Sequence, residues 1–183
     1  MNPLAQIVLL IANAVCTFLG ALLLMRFFMQ WARAPFDSPI GGFVLHLTDW
    51  LVLPLRRAIP AFRQSLDFAS LLAAYLAQAA LVALVSVLAP GAPAGLAQLT
   101  GILIGGAFSL VRLAIYLYIV LLVARALLSW FSPLHPQAPL NRLVARLTDP
   151  ILRPLQKIIP PISGIDLTPL IAILVAQIIL IFV

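Results

Sequence analysis

The chain contains no glutamate, a single cysteine and two histidines, and charged residues make up only 9% of its 183 positions, where an ordinary soluble domain carries about 25%. So few charges exclude a soluble globular domain. Cys16 stands alone in an apolar run, which excludes a disulfide framework and a cysteine-based metal site. The histidines, His46 and His135, occupy no position suited to an axial haem ligand in or beside a span. No Ser/His/Asp arrangement, glycine-rich phosphate loop or Cys/His cluster is present, so neither an enzyme nor a bound cofactor or metal is expected. No positively charged segment precedes Ala12-Asn13-Ala14, and the apolar run continues to Met29. The first segment is therefore read as a retained helix and not a cleaved leader. Val15 before Cys16 speaks against lipid attachment.

What the chain does contain is apolar: 64% of residues are hydrophobic, with a mean hydropathy of +1.17. A bilayer-spanning helix needs about 20 such residues. Four stretches are candidates: Leu4 to Met29, Phe68 to Ala89, Ile104 to Phe131, and the shorter Leu167 to Val183. Eleven Lys and Arg face five acids, all aspartate, for a net charge of +6. The cations flank apolar spans instead of clustering among polar and aromatic residues, so nucleic acid is not an expected partner. The loop after the first span holds Arg33, Arg56, Arg57 and Arg63, and the loop after the third holds Arg142, Arg146, Arg153 and Lys157. The middle connection, residues 90–101, holds no charge. Cationic loops stay cytoplasmic, which predicts both long loops inside, and both termini and the connection outside.

The chain also reads as two copies of one pattern, residues 1–89 and 102–183. Arg26, Trp31, Asp49, Pro54, Pro60, Asp67 and Gln78 recur as Arg125, Trp130, Asp149, Pro154, Pro160, Asp166 and Gln177, at a spacing of 99 or 100 residues. The expected fold is an all-α membrane protein. Its four transmembrane helices form two parallel tandem-repeat hairpins, each with a cytoplasmic interfacial amphipathic helix. In the second copy Leu140, Leu143, Val144, Leu147 and Ile151 share one helical face, with Arg142, Arg146, Asp149 and Arg153 on another. Asp149-Pro150 is the sequence of an N-cap followed by a first-turn proline, so this helix is expected to break and restart there, to kink at Pro154, and to end at Pro160-Pro161. Asp67 and Asp166 precede spans and read as caps, and Thr168-Pro169 marks a helix start at the same place.

The run Leu147-Thr148-Asp149-Pro150-Ile151-Leu152-Arg153-Pro154, with Arg125, Trp130, Ile159-Pro160 and Gly164-Ile165-Asp166-Leu167-Thr168-Pro169, resembles the YggT (YlmG) family of bacterial membrane proteins, which has chloroplast relatives. The resemblance covers both copies. The first departs from it at Trp50 and Ser70, where the second has Pro150 and Pro169. It implies a small multi-span protein of the bacterial inner membrane without known catalytic residues. Suggested roles within the family range from osmotic stress or potassium uptake to cell division, nucleoid organisation and cytochrome assembly. A scaffold or assembly factor is therefore the expected function, with an oligomeric channel or transporter as the alternative. The surface for anionic lipid or a membrane-protein partner would be Arg56, Arg57, Arg142, Arg146, Arg153 and Lys157.

Two further groups carry expectations. Arg26 and Arg125 lie within their spans near the cytoplasmic end, where an arginine either snorkels or pairs, and the expected partners are Asp67 and Asp166. Gln78 and Gln177 lie near mid-span. They act either as interhelical hydrogen-bond glue or, facing each other across the pseudo-twofold axis, as a polar path, for which a homo-oligomer is the expected form.

Overall fold

The computed structural model describes residues 3–34, 36, 38–58, 67–88, 95–131, 138–158 and 166–183. They form six helices: α1 (Pro3–Trp31), α2 (Pro39–Ala58), α3 (Phe68–Leu88), α4 (Leu96–Phe131), α5 (Pro139–Ile158) and α6 (Thr168–Phe182). Pro60, Pro160, Pro161, Arg63, His135 and the Trp130 side chain lie outside the described residues. α1, α3 and α4 are long and apolar enough to cross a membrane. α6 is a shorter apolar helix of 15 residues, about 22 Å at 1.5 Å per residue.

α4 begins at Leu96 and not at the expected Ile104, and with 36 residues it is the longest element. Gly95, at φ +73, turns the chain into it, and Leu99 N–H then donates to Gly95 O at 3.3 Å. Part of the uncharged connection is therefore helix. Its Gln98 side chain donates to Ser86 Oγ at 3.4 Å, which ties it to the end of α3.

α2 and α5 start alike. Ser38 and Ala138 precede Pro39 and Pro139, and Gly42 N–H and Arg142 N–H close the first turns onto their carbonyls. Ser38 Oγ also accepts from Gly41 N–H at 3.1 Å, so the first-turn proline with its cap lies here. The expected break at Asp149-Pro150 does not occur. α5 runs unbroken through both Pro150 and Pro154, as α2 does through Pro54. All three prolines are on exposed faces, as are Arg146 and Trp50, whose carbonyls two of the prolines leave free. A missing helical N–H costs far more when the orphaned carbonyl is buried.

Three apolar clusters position these helices. Leu23, Leu24, Val52, Ala69, Ala73 and Ala74 join α1, α2 and α3, and Leu122, Leu152 and Ala172 join α4, α5 and α6. Between them, Met29 and Ala34 pack against Leu121, Leu143 and Leu147. α3 packs on α1 and α4, and α4 on α6. At the crossing of α3 and α4, a Cβ on Gly106 would stand 3.0 Å from Ala79 Cα, so the glycine permits a close approach of the two helices.

Candidate functional site

The charged residues assemble at the ends of the helices into one joint in each half. In the first, Arg26 reaches out of α1 to α2. Its Nη1 donates to Thr48 Oγ1 at 2.8 Å and to Asp49 Oδ1 at 2.7 Å. Thr48 can accept because its own proton goes to Val44 O, at 2.6 Å. Arg26 Nε lies 3.6 Å from Asp67 Oδ2 and, among the described residues, has no hydrogen-bond partner. The expected Arg26–Asp67 pair is thus present as a charge contact, while the hydrogen bonds of both residues go elsewhere.

Asp67 is held mainly by Arg56, whose Nη2 and Nε donate to its two oxygens at 2.5 and 3.3 Å. This fork geometry is what guanidinium offers a carboxylate. The same Nη2 donates to Gln30 Oε1 at 3.1 Å, so Arg56 links the ends of α1 and α2 to the start of α3. Asp67 also accepts from Ser70 N–H and Ser70 Oγ, which makes it the cap of α3. Burial raises its pKa, but the Arg56 and Ser70 hydrogen bonds and the Arg56 charge outweigh burial and hold it below the ordinary carboxylate value. The Arg26 and Asp67 side chains are only 3% and 1% exposed.

The second joint uses the corresponding positions differently. Arg125 does not form the expected pair with Asp166 but lies 3.6 Å from Asp149, which accepts a hydrogen bond from Arg153 at 2.9 Å. Asp149, expected as a cap, is a charge partner. Gln156 occupies the position of Arg56 and donates to Asp166 at 2.9 Å. Asp166 accepts from Thr168 N–H at 3.0 Å and from the Thr168 hydroxyl. It caps α6 from one residue before Leu167, which has no capping bond of its own. Burial raises the Asp166 pKa, but the bonds from Thr168 and Gln156 and the Arg125 charge bring it below its ordinary value. Arg125 is 31% exposed, and a groove of about 600 Å³ opens between α4 and α6 beside it.

The joints are connected. Arg33 closes α1 at φ +50 in a Schellman turn, with Ala34 N–H on Met29 O and Arg33 N–H on Gln30 O. Arg146 of α5 donates to the Arg33 carbonyl at 3.0 Å. Arg56, expected on the lipid or partner surface, is thus turned into the first joint, whereas Arg146 stays exposed; Thr48 is not among the expected site residues, although Thr-Asp occurs at both 48–49 and 148–149.

The glutamines do not come together. Gln78 is buried and donates to Cys16 O at 3.3 Å. It occupies a recess left by Gly20, where a Cβ would stand 2.7 Å from its Nε2. The second copy has Ile119 at that place, and Gln177 is exposed on α6. Replacing Gln78 with leucine is expected to destabilise the fold by about 0.6 to 2 kcal/mol, and replacing Gln177 to leave it unchanged. Denaturation of each variant in mixed micelles measures both.

Trp31, Arg57, Arg142 and Lys157 are exposed, and Pro169 is buried at the start of α6. Among the described residues no three His, Cys, Asp or Glu are grouped as metal ligands would be.

A family model described as CCB3/YggT matches residues 5–88 and 104–183. The chain is 34% identical over 157 residues to the uncharacterized protein YggT of Escherichia coli strain K12, covering 86% of this chain and 78% of that protein. It is 33% identical over 159 residues to an uncharacterized protein of Pseudomonas aeruginosa, covering 86% and 78%. A shorter match, 44% over 59 residues, covers 32% of this chain and 23% of the chloroplastic YlmG homolog protein 2 of Arabidopsis thaliana. No solved structure matches.

Proposed function

The chain belongs to the CCB3/YggT family, and from that premise we propose that it is a non-enzymatic scaffold of the bacterial inner membrane. In this reading the two copies are parallel hairpins, with α6 completing the second. α2 and α5 lie as amphipathic helices at the cytoplasmic interface, and they recruit anionic lipid or a protein partner.

The observation that carries the reading is how the charges are divided. Asp49, Asp67 and Asp149 are engaged by arginines inside the joints, and Asp166 by Thr168 and Gln156. Arg57, Arg142 and Lys157 stay exposed on the outer faces of α2 and α5, while Val44, Val52, Leu143, Leu147 and Leu152 are buried beneath them. Exposed cations on α2 and α5 are what an anionic leaflet attracts, by about 1 kcal/mol per cation. A conduit is less well supported, because the span carboxamide best placed to line one, Gln78, is sealed against α1.

Spin-labelled lipids test the reading. In reconstituted wild-type protein, phosphatidylglycerol should be immobilised in preference to phosphatidylcholine. Changing Arg57, Arg142 and Lys157 together to glutamine should remove most of that preference, as should high salt. A wild-type protein without the preference, or a triple variant that keeps it, contradicts the proposal.

A further inference from the structure

The two joints share a pattern, but one is closed and the other open. In the first, Arg56 covers Asp67 and the Arg26 and Asp67 side chains are 3% and 1% exposed. In the second, the neutral Gln156 replaces Arg56, Arg125 is 31% exposed, and Asp166 is exposed. Among the described residues Arg125 donates no hydrogen bond, and it forms no ion pair with Asp166. Both instead line the groove of about 600 Å³, whose other walls include Val123, Leu127, Leu170 and Ile173. That volume lies within the range of small-molecule sites, which combine apolar walls with a few placed polar groups.

We propose that this groove holds one aminophospholipid, its phosphate on Arg125, its primary ammonium on Asp166 and the start of an acyl chain along Leu170 and Ile173. The apolar walls select a molecule with a chain, since a free headgroup would leave them wet. The opposite charges select a zwitterion. A purely anionic head would meet Arg125, whose charge Asp149 already offsets from 3.6 Å, but it would face Asp166 in the same groove. A choline head would bring no N–H to Asp166, so it forfeits the charge-assisted hydrogen bond that a primary ammonium makes. This discrete site does not depend on the cationic outer face, which would favour anionic lipid diffusely.

The test is native mass spectrometry of the delipidated full-length protein titrated with phosphatidylethanolamine, phosphatidylglycerol and phosphatidylcholine. The expected result is one molecule of phosphatidylethanolamine retained at least tenfold more tightly than either other lipid. Asp166→Asn keeps the capping oxygen for Thr168 and should reduce this retention to the level of the others. Ile173→Trp should abolish it by filling the groove, with both charged groups left in place. The Arg57/Arg142/Lys157 triple variant should retain it. Equal retention of the three lipids by wild type, or phosphatidylethanolamine retention unchanged in both Asp166→Asn and Ile173→Trp, overturns the proposal. Thermal unfolding of each variant confirms that a loss of lipid is not a loss of fold.

Discussion

Replacing Asp67 with alanine is expected to destabilise the protein by about 3 to 5 kcal/mol, and replacing Asp166, its counterpart in the second half, by only about 1 kcal/mol. Removing the Asp67 carboxylate leaves buried Arg26 with an unmatched charge on its Nε side. It also releases Arg56 and strips the cap from Ser70. Breaking a buried charge network by removing one partner incurs the desolvation of whatever remains. Asp166 faces water and the hydrogen bonds of Thr168 and Gln156, so its loss is the loss of a cap. Exchanging Arg26 and Asp67 should not restore stability, because the exchange sets an arginine against Arg56. Titration with denaturing detergent in mixed micelles reads all three variants.

The same contrast has a pH signature. The folded pKa of Asp67 is below its unfolded value, so its contribution is complete above the unfolded pKa and is lost as pH falls through the folded one. Acidification should therefore erode the wild-type stability more steeply than that of the Asp67→Ala variant. At neutral pH the contribution is fully present.

The second large effect is at Gly106. A leucine there is expected to lower stability by about 1 to 3 kcal/mol, the usual penalty for overpacking, because even a Cβ would lie 3.0 Å from both Ala79 Cα and Cβ. The neighbours are backbone and a methyl group and have no rotamer to move into, so α3 and α4 must separate. Gly101 has nothing within 4 Å of its Cβ position. Gly101→Ala is expected to be neutral or, through helix propensity, stabilising by up to about 1 kcal/mol. Unfolding of the two variants under identical conditions measures the difference.

Much of this architecture was legible in the sequence, because the signals for apolar helices are local. The ends of α1, α3 and α6 lie within a few residues of the hydropathy boundaries, and the capping aspartates sit where short polar side chains before a span should. The helix of the second loop was read to within one residue of its start at Pro139. The internal prolines misled, because sequence shows the missing N–H but not whether the orphaned carbonyl faces water or core. The partners of Arg26 and Arg125 were only half legible. Pairing depends on whether position 56 or 156 carries a guanidinium or an amide, and that difference is visible only once α2 and α5 are folded against the spans. Gln78 and Gln177 looked equivalent until Gly20 and Ile119 separated them.

The most direct test of the scaffold account is the sidedness of α2 and α5. Single cysteines at Arg57, Arg142 and Ala97, in a Cys16→Ser background, can be labelled with a membrane-impermeant maleimide in spheroplasts and in inverted vesicles. The account predicts labelling of Arg57→Cys and Arg142→Cys only in inverted vesicles, and of Ala97→Cys only in spheroplasts. Labelling of the first two from opposite sides of the membrane, or of both from outside, would contradict a paired cationic surface facing the cytoplasm.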